Sequence, residues 1–183
     1  MRILKNNSMD EAYFKSEYRC DSYKDILEYA RSYEWPAERR KDRGFQAIKF
    51  PSTLLDNDPI LKYLSNNAVE CLITRLRPRF FFKVHIDNRR NCALHLCLHH
   101  DHSHTFFLTE KEYLEYVSSR FVEPIYEPGY YYLLNVTRPH GVINCSEESR
   151  YNGFFTLNFE KNINETKELL GEIFSENPLT SSL

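Results

Sequence analysis

The sequence predicts an α+β domain with a β-sandwich or barrel at its centre. Three observations predict it. Residues up to about 67 carry helical spacing and caps. From Ala68 onward the texture changes to short apolar and β-branched runs separated by turn residues. A last helical segment closes the chain after residue 160. Short strands following a helical layer are the pattern of an α+β fold. One domain is expected over 1–183, with a helical N-terminal layer (1–67), a β-barrel core (68–160) and a C-terminal helix and tail (161–183).

The segment SYKDILEYARSYE, residues 22–34, spaces its apolar residues for one helix face and stops before Pro36. AERRKDRGF, residues 37–45, reads as a charged surface segment. A second short helix is expected from Asp58 to Ser65, with Pro59 in its first turn. Val69 to Arg75 is the first expected strand, ended by Arg77-Pro78-Arg79. Phe80 to His85 and Cys92 to Leu98 follow, the latter placing Cys92, Leu94, Leu96 and Leu98 on one face. Thr105 to Leu108 can pair with it across the turn Asp101 to His104. Glu110 to Arg120 reads as a helix capped by Thr109. After the Pro128-Gly129 turn come Tyr130 to Val136, Gly141 to Asn144 and Gly153 to Phe159 as strands, the last two joined by the polar loop Cys145 to Arg150. Asn164 to Phe174 reads as the closing helix.

Bulk properties exclude several classes. Hydrophobic residues at 42% and charged residues at 27% are those of a water-soluble globular domain, and 183 residues can bury a substantial core. A formal charge of -2 gives no pull toward nucleic acid or an anionic membrane. The 13 Tyr and 13 Phe read first as core and core-edge residues. Five cysteines, an odd number without a CxxC, argue against a disulfide scaffold and a thiolate zinc site. No apolar run approaches the roughly 18 residues of a membrane span, and the first residues lack a signal-peptide core. A cytoplasmic protein is the expectation.

The chemistry concentrates between His85 and Arg150. His85-Ile86-Asp87 places an imidazole and a carboxylate two residues apart, so both point the same way at a strand end. His140 can add a second imidazole from another strand. Two His and one carboxylate on one face of a metal leave three positions open, the arrangement of non-haem Fe(II) oxygenases. Arg150, ten residues past His140, can clamp a carboxylate with two parallel hydrogen bonds. Arg138 is its rival. His95 is either a cavity contact for co-substrate or substrate or a core histidine. Asn135 and Asn144 flank the second His and could orient a ligand or bind co-substrate, although Asn144 also suits a turn. HHDHSH, residues 99–104, could collect zinc, nickel or copper, but reads better as a solvated hairpin turn.

These motifs resemble the Fe(II)/2-oxoglutarate-dependent dioxygenases, within them the aspartyl/asparaginyl β-hydroxylase-like group. The resembling text is Arg75-Leu-Arg-Pro78 leading into His85-Ile-Asp-Asn88, then Cys92 to Leu98, Glu127-Pro-Gly-Tyr130, and Pro139-His-Gly-Val-Ile-Asn144 through Arg150. It spans roughly residues 68–160. The resemblance implies a double-stranded β-helix of the jelly-roll or cupin kind. It implies Fe(II) on His85, Asp87 and His140, with Arg150 on the distal carboxylate of 2-oxoglutarate. It also implies that 2-oxoglutarate and O2 become succinate and CO2 while a C–H bond of an amino-acid or peptidyl side chain is hydroxylated. The chain departs from the group in one place. The strand after the HxD turn shows Asn91, Ala93 and His95 where an Arg is common, leaving Arg89 or Arg90 in the loop as replacements. A non-catalytic cupin-like binding protein, and a metal-binding protein centred on HHDHSH, are the alternatives. Oligomeric state and substrate identity are not encoded in these motifs.

Overall fold

The run Cys92–His99 is apolar on both sides and becomes the middle of the protein, buried on both faces. The computed structural model describes residues 12–36, 44–108, 121–157 and 161–176. In chain order the elements are β1 (Tyr13–Arg19), α1 (Tyr23–Ser32), β2 (Phe45–Lys49), α2 (Ser52–Leu55), α3 (Pro59–Asn67), β3 (Glu70–Leu76), β4 (Phe80–His85), β5 (Cys92–His99), β6 (Ser103–Leu108), β7 (Phe121–Val122), β8 (Tyr130–Asn135), β9 (His140–Asn144), β10 (Arg150–Thr156) and α4 (Ile163–Glu176).

Two antiparallel sheets result, a six-stranded one ordered β1-β8-β5-β10-β3-β2 and a four-stranded one ordered β4-β9-β6-β7. From β3 to β10 the chain passes back and forth between them. The large sheet takes β3, β5, β8 and β10, and the small sheet takes β4, β6, β7 and β9. That alternation makes a double-stranded β-helix.

Each face of β5 serves a different core. Cys92, Leu94, Leu96 and Leu98 meet α1, α3 and α4 through Ile26, Ala30, Ile60, Leu61, Leu64 and Leu170. Ala93 and Cys97 turn to the other side, where Phe107 of the small sheet and Tyr132, Leu134 and Phe154 of the large sheet close a second core. Helices therefore cover the outer face of the large sheet, and the space between the sheets is left for a site.

The helices form for local reasons. Asp58 caps α3 by accepting from the backbone N–H of Ile60 (2.9 Å) and Leu61 (3.1 Å), with Pro59 at its first turn. In α4, Asn162 accepts from the N–H of Asn164 and Glu165, and the Glu165 carboxylate reaches back to the N–H of Asn162 at 2.8 Å. That reciprocal pair is a capping box. Among the described residues no helix is long and apolar enough to cross a membrane.

Three features differ from the sequence reading. The strand Ser103–Leu108 does not pair with β5 across the Asp101–His104 turn: it pairs with β9 and β7 of the small sheet, because the chain crosses between the sheets there. The segment 1–67 is not helical throughout, because β1 and β2 extend the large sheet on either side. In β1 the exposed alternate positions are charged, and backbone pairing to β8 overrides that composition. The last strand begins at Arg150 rather than Gly153, since Arg150 and Tyr151 pair with Leu76 and Arg75 of β3. The expected helix 110–120 with its cap Thr109 and most of the charged segment 37–45 lie outside the described residues.

Candidate functional site

His85 ends β4 and His140 opens β9, and the antiparallel register sets them directly opposite one another. Their rings lie 4.3 Å apart between centroids. Each ring has its Nδ1 occupied by a backbone carbonyl two residues earlier: Lys83 at 2.9 Å for His85, and Arg138 at 2.8 Å for His140. That bond makes Nδ1 the donor and aims each Nε2 at the metal position, where an ion would take the place of any proton that His85 Nε2 shares with Asp87. Asp87 follows in the turn, tied by its backbone N–H to the carbonyl of Val136 (3.1 Å). One carboxylate oxygen is 3.3 Å from His85 Nε2. Ligand atoms of His85, Asp87 and His140 all lie within 4.8 Å of one another, and they are the one such group of three among the described residues. Two neutral imidazoles and a carboxylate converging at a strand edge fit a divalent ion with open positions, as Fe(II) needs.

The electrostatics suit a cation. Burial works to raise the Asp87 carboxyl, but the hydrogen bond from His85 and the charge of Arg90 outweigh it and bring it down to about 2. Asp87 is therefore anionic at neutral pH. His85 is raised by its hydrogen bond to Asp87, whereas burial lowers His140.

These three side chains line a cavity of about 230 Å³ between the sheets. Arg150 and His95, from β10 and β5 of the large sheet, line the same cavity. Arg150 is 2% exposed. Its Nη1 donates to Thr105 Oγ1 at 2.8 Å and more weakly to Ser103 Oγ at 3.4 Å. Its Nε donates to Asn152 Oδ1 at 3.1 Å when that amide is oriented to accept. Its guanidinium lies 4.9 Å from the centre of the Tyr126 ring. No carboxylate among the described residues pairs with it, so a fixed cation faces the cavity held only by neutral groups. His95 packs against Phe154 with ring centroids 5.1 Å apart and the planes tilted by 56°. Its Nδ1 is sealed from solvent and has no hydrogen-bond partner among the described residues, and burial favours the neutral ring.

The remaining candidates sit elsewhere. Asn144 donates to the carbonyls of Leu76, Arg77 and Glu148 and accepts from the N–H of Ser146, so its amide is spent on stitching a loop to β3. Asn135 accepts from the N–H and hydroxyl of Thr137 in the turn before β9. Neither lines the cavity, and neither does Arg138. Both asparagines have side-chain geometry that turns also demand, which is why residue type did not separate the two roles. HHDHSH divides. Asp101, His102 and His104 are exposed, while His100 packs at 4.5 Å on Tyr126 and His99 Nδ1 donates to the carbonyl of Ser149 at 3.2 Å.

Some site residues escaped the sequence reading. Phe45 of β2 packs on Phe82 at 5.7 Å and lines the cavity, although it lay at the end of a segment read as charged surface. Thr105 and Ser103, which hold Arg150, were read only as strand and turn residues, Ser103 within HHDHSH. Their signal was the alternation of β6, which turns Ser103, Thr105 and Phe107 inward.

No protein-family profile matches the chain, and no curated protein matches its sequence. Solved structures do match its shape. A Pseudomonas putida prolyl-4-hydroxylase superposes with a TM-score of 0.54 at 15% identity, over 81% of this chain and 94% of that one. EctD from S. alaskensis, with 2-oxoglutarate and 5-hydroxyectoine, gives 0.54 at 12% identity over 81% and 72%. A prolyl hydroxylase from Trichoplax adhaerens, in complex with a hypoxia inducible factor peptide, gives 0.52 at 12% identity over 88% and 87%. At these identities the likeness concerns architecture: the chain shares with these oxygenases the double-stranded β-helix that its own strand order describes.

Proposed function

We propose that this protein is an Fe(II)- and 2-oxoglutarate-dependent oxygenase that hydroxylates an amino-acid or peptidyl side chain. The observation that carries this reading is Arg150, a buried guanidinium without an acidic partner among the described residues, in the same cavity as His85, Asp87 and His140. A permanently charged group kept dry without a counter-ion costs free energy that a bound anion recovers. A metal-chelating keto acid with a second carboxylate would satisfy both ends of the cavity. The neighbours of known structure include EctD bound to 2-oxoglutarate, which supports the same co-substrate here.

When bound, iron and 2-oxoglutarate supply the oxidising chemistry: O2, 2-oxoglutarate and a C–H substrate become the alcohol, succinate and CO2. The chain's own residues do the rest. His85, Asp87 and His140 would hold the metal, with the two backbone carbonyls keeping the imidazoles aimed. Arg150, steadied by Thr105, Ser103 and Asn152, would bind the distal carboxylate. Leu76, Leu134, Val136, Val142 and Phe154 give the cavity apolar walls that exclude water. Placement in the aspartyl/asparaginyl β-hydroxylase-like group rests on the sequence motifs alone, and the peptide-bound prolyl hydroxylase neighbour makes a peptidyl substrate reasonable.

The test is succinate formation from 2-oxoglutarate, screened against amino acids and peptides with and without Fe(II). Iron-dependent succinate release stimulated by one substrate is expected. A protein that binds metal and 2-oxoglutarate yet releases no succinate with any of them is the cupin-like binding protein instead.

A further inference from the structure

Arg90 is the remaining cation in the cavity wall, and it is already engaged. Its Nε donates to Asp87 Oδ2 at 2.7 Å. Its Nη1 reaches Glu70 Oε2 at 3.4 Å, and its guanidinium lies 4.4 Å from the centre of the Phe154 ring. Glu70 opens β3 and Phe154 lies in β10, both of the large sheet, whereas Asp87 follows β4 of the small sheet. Arg89, its neighbour, is exposed.

We propose that Arg90 is a positioning residue for the metal carboxylate: it binds the Asp87 oxygen turned away from His85 and anchors it to the opposite sheet, so that Asp87 offers one oxygen to the ion in a fixed direction. The inference rests on the metal site of the proposed function. The Asp87 carboxylate stands in a turn whose backbone is tied at Val136. Its two oxygens have different partners, Oδ1 at His85 Nε2 (3.3 Å) and Oδ2 at Arg90 Nε (2.7 Å). A charge-assisted bond to one oxygen disfavours rotation of the group and chelation through both. The guanidinium plane can do this while stacked on Phe154 and paired with Glu70, because its nitrogens point in different fixed directions. An ammonium offers one compact charge and cannot serve both carboxylates with the same geometry. The loop Arg thus does not take the co-substrate role that the resemblance left open for it.

The experiment titrates Mn(II) into apo protein without 2-oxoglutarate, following free Mn(II) by electron paramagnetic resonance, for the parent, Arg90→Met, Arg90→Lys and Glu70→Gln. Loss of a partner behind a metal ligand weakens metal affinity by about 10- to 100-fold, and that is the expectation for Arg90→Met. Arg90→Lys should recover part of the loss, and Glu70→Gln should lose less than Arg90→Met. Circular dichroism reports the fold of each variant. Should Arg90→Met fail to fold, Arg90→Lys carries the test, with several-fold weaker Mn(II) binding expected. Parent-like Mn(II) affinity in the folded Arg90 variants overturns the proposal, whatever happens to their thermal stability. Intact Mn(II) affinity with weakened 2-oxoglutarate binding in metal-saturated protein overturns it too, by making Arg90 a co-substrate cation. A parent that binds no Mn(II) overturns the metal site itself, which distinguishes that failure from the failure of this inference alone.

Discussion

Arg150 is costly to keep where it is. It is 2% exposed, and among the described residues hydroxyls, an amide and an aromatic ring surround it rather than an acid. On the proposed reading, Arg150→Ala weakens 2-oxoglutarate binding by about 2 to 5 kcal/mol, the scale of truncating one partner of a buried charge pair. Arg150→Lys loses less, because one hydrogen bond of the fork survives. Calorimetric titration of metal-loaded protein measures both, and unchanged affinity in Arg150→Ala sinks the clamp. The same burial makes a second prediction: Arg150→Met leaves the ligand-free protein as stable as the parent or more so, read as the urea midpoint, since it removes an interior charge that no acid among the described residues pairs. The convergence of His85 with Asp87 was legible from their spacing of two residues, whereas His140 and Arg150, on other strands, entered only through the pattern of two His, one carboxylate and a later Arg. Arg90 was legible only as one of two loop arginines. Its contacts with Glu70 and Phe154 join residues 20 and 64 positions away, which no local pattern encodes.

At the scale of elements, the loop from β5 to β6, which crosses from the large sheet to the small one, separates two kinds of histidine. His102 is exposed and holds φ at 42°, and His104 pairs with Glu123 at 2.6 Å on an exposed edge. Neither lines the cavity. His102→Ser with His104→Ser should therefore leave succinate formation and active-site iron content near those of the parent. Iron loss in that double variant would mean that the β5–β6 loop feeds or completes the metal site. Strand β5 could be read from its alternation, and β4, β8 and β9 from short apolar, aromatic or β-branched runs between turns. Strands β1 and β2 could not: YFKSEYR and FQAIK interleave charged or polar residues with apolar ones, and only pairing with β8 and β3 makes them strands. Phe45 shows the consequence for function, because a short edge strand hidden in a charged stretch delivers one wall of the cavity.

For the molecule as a whole, the histidines make stability depend on pH. His95, His100 and His140 are all lowered from 6.5 by burial, His100 to about 3. Each takes up a proton more readily when unfolded, so their contribution is complete above pH 6.5 and declines as pH falls from 6.5 toward the folded values. His85 runs the other way: raised by its bond to Asp87, it stabilises at low pH and loses that contribution as pH rises through its folded value. Asp87, brought from 3.8 to about 2, matters only in stronger acid. Three groups against one give a metal-free protein that is less stable at pH 5 than at pH 8. Urea unfolding at the two values measures this, and His95→Gln should flatten the difference. Equal or greater stability at pH 5 would show that these rings are not neutral in the folded protein.

The two anchors of the cavity stand on different sheets: His85 and His140 on the small one, Arg150 on the large one. Packed sheets lie about 10 Å apart, a spacing fixed by the interdigitated side chains between them. The cavity is thus a caliper whose jaws cannot slide. On the proposed reading it measures the carbon chain of the keto acid. Oxaloacetate, one methylene shorter, would leave its far carboxylate short of Arg150, and 2-oxoadipate, one longer, would have to buckle. Neither should replace 2-oxoglutarate in supporting turnover.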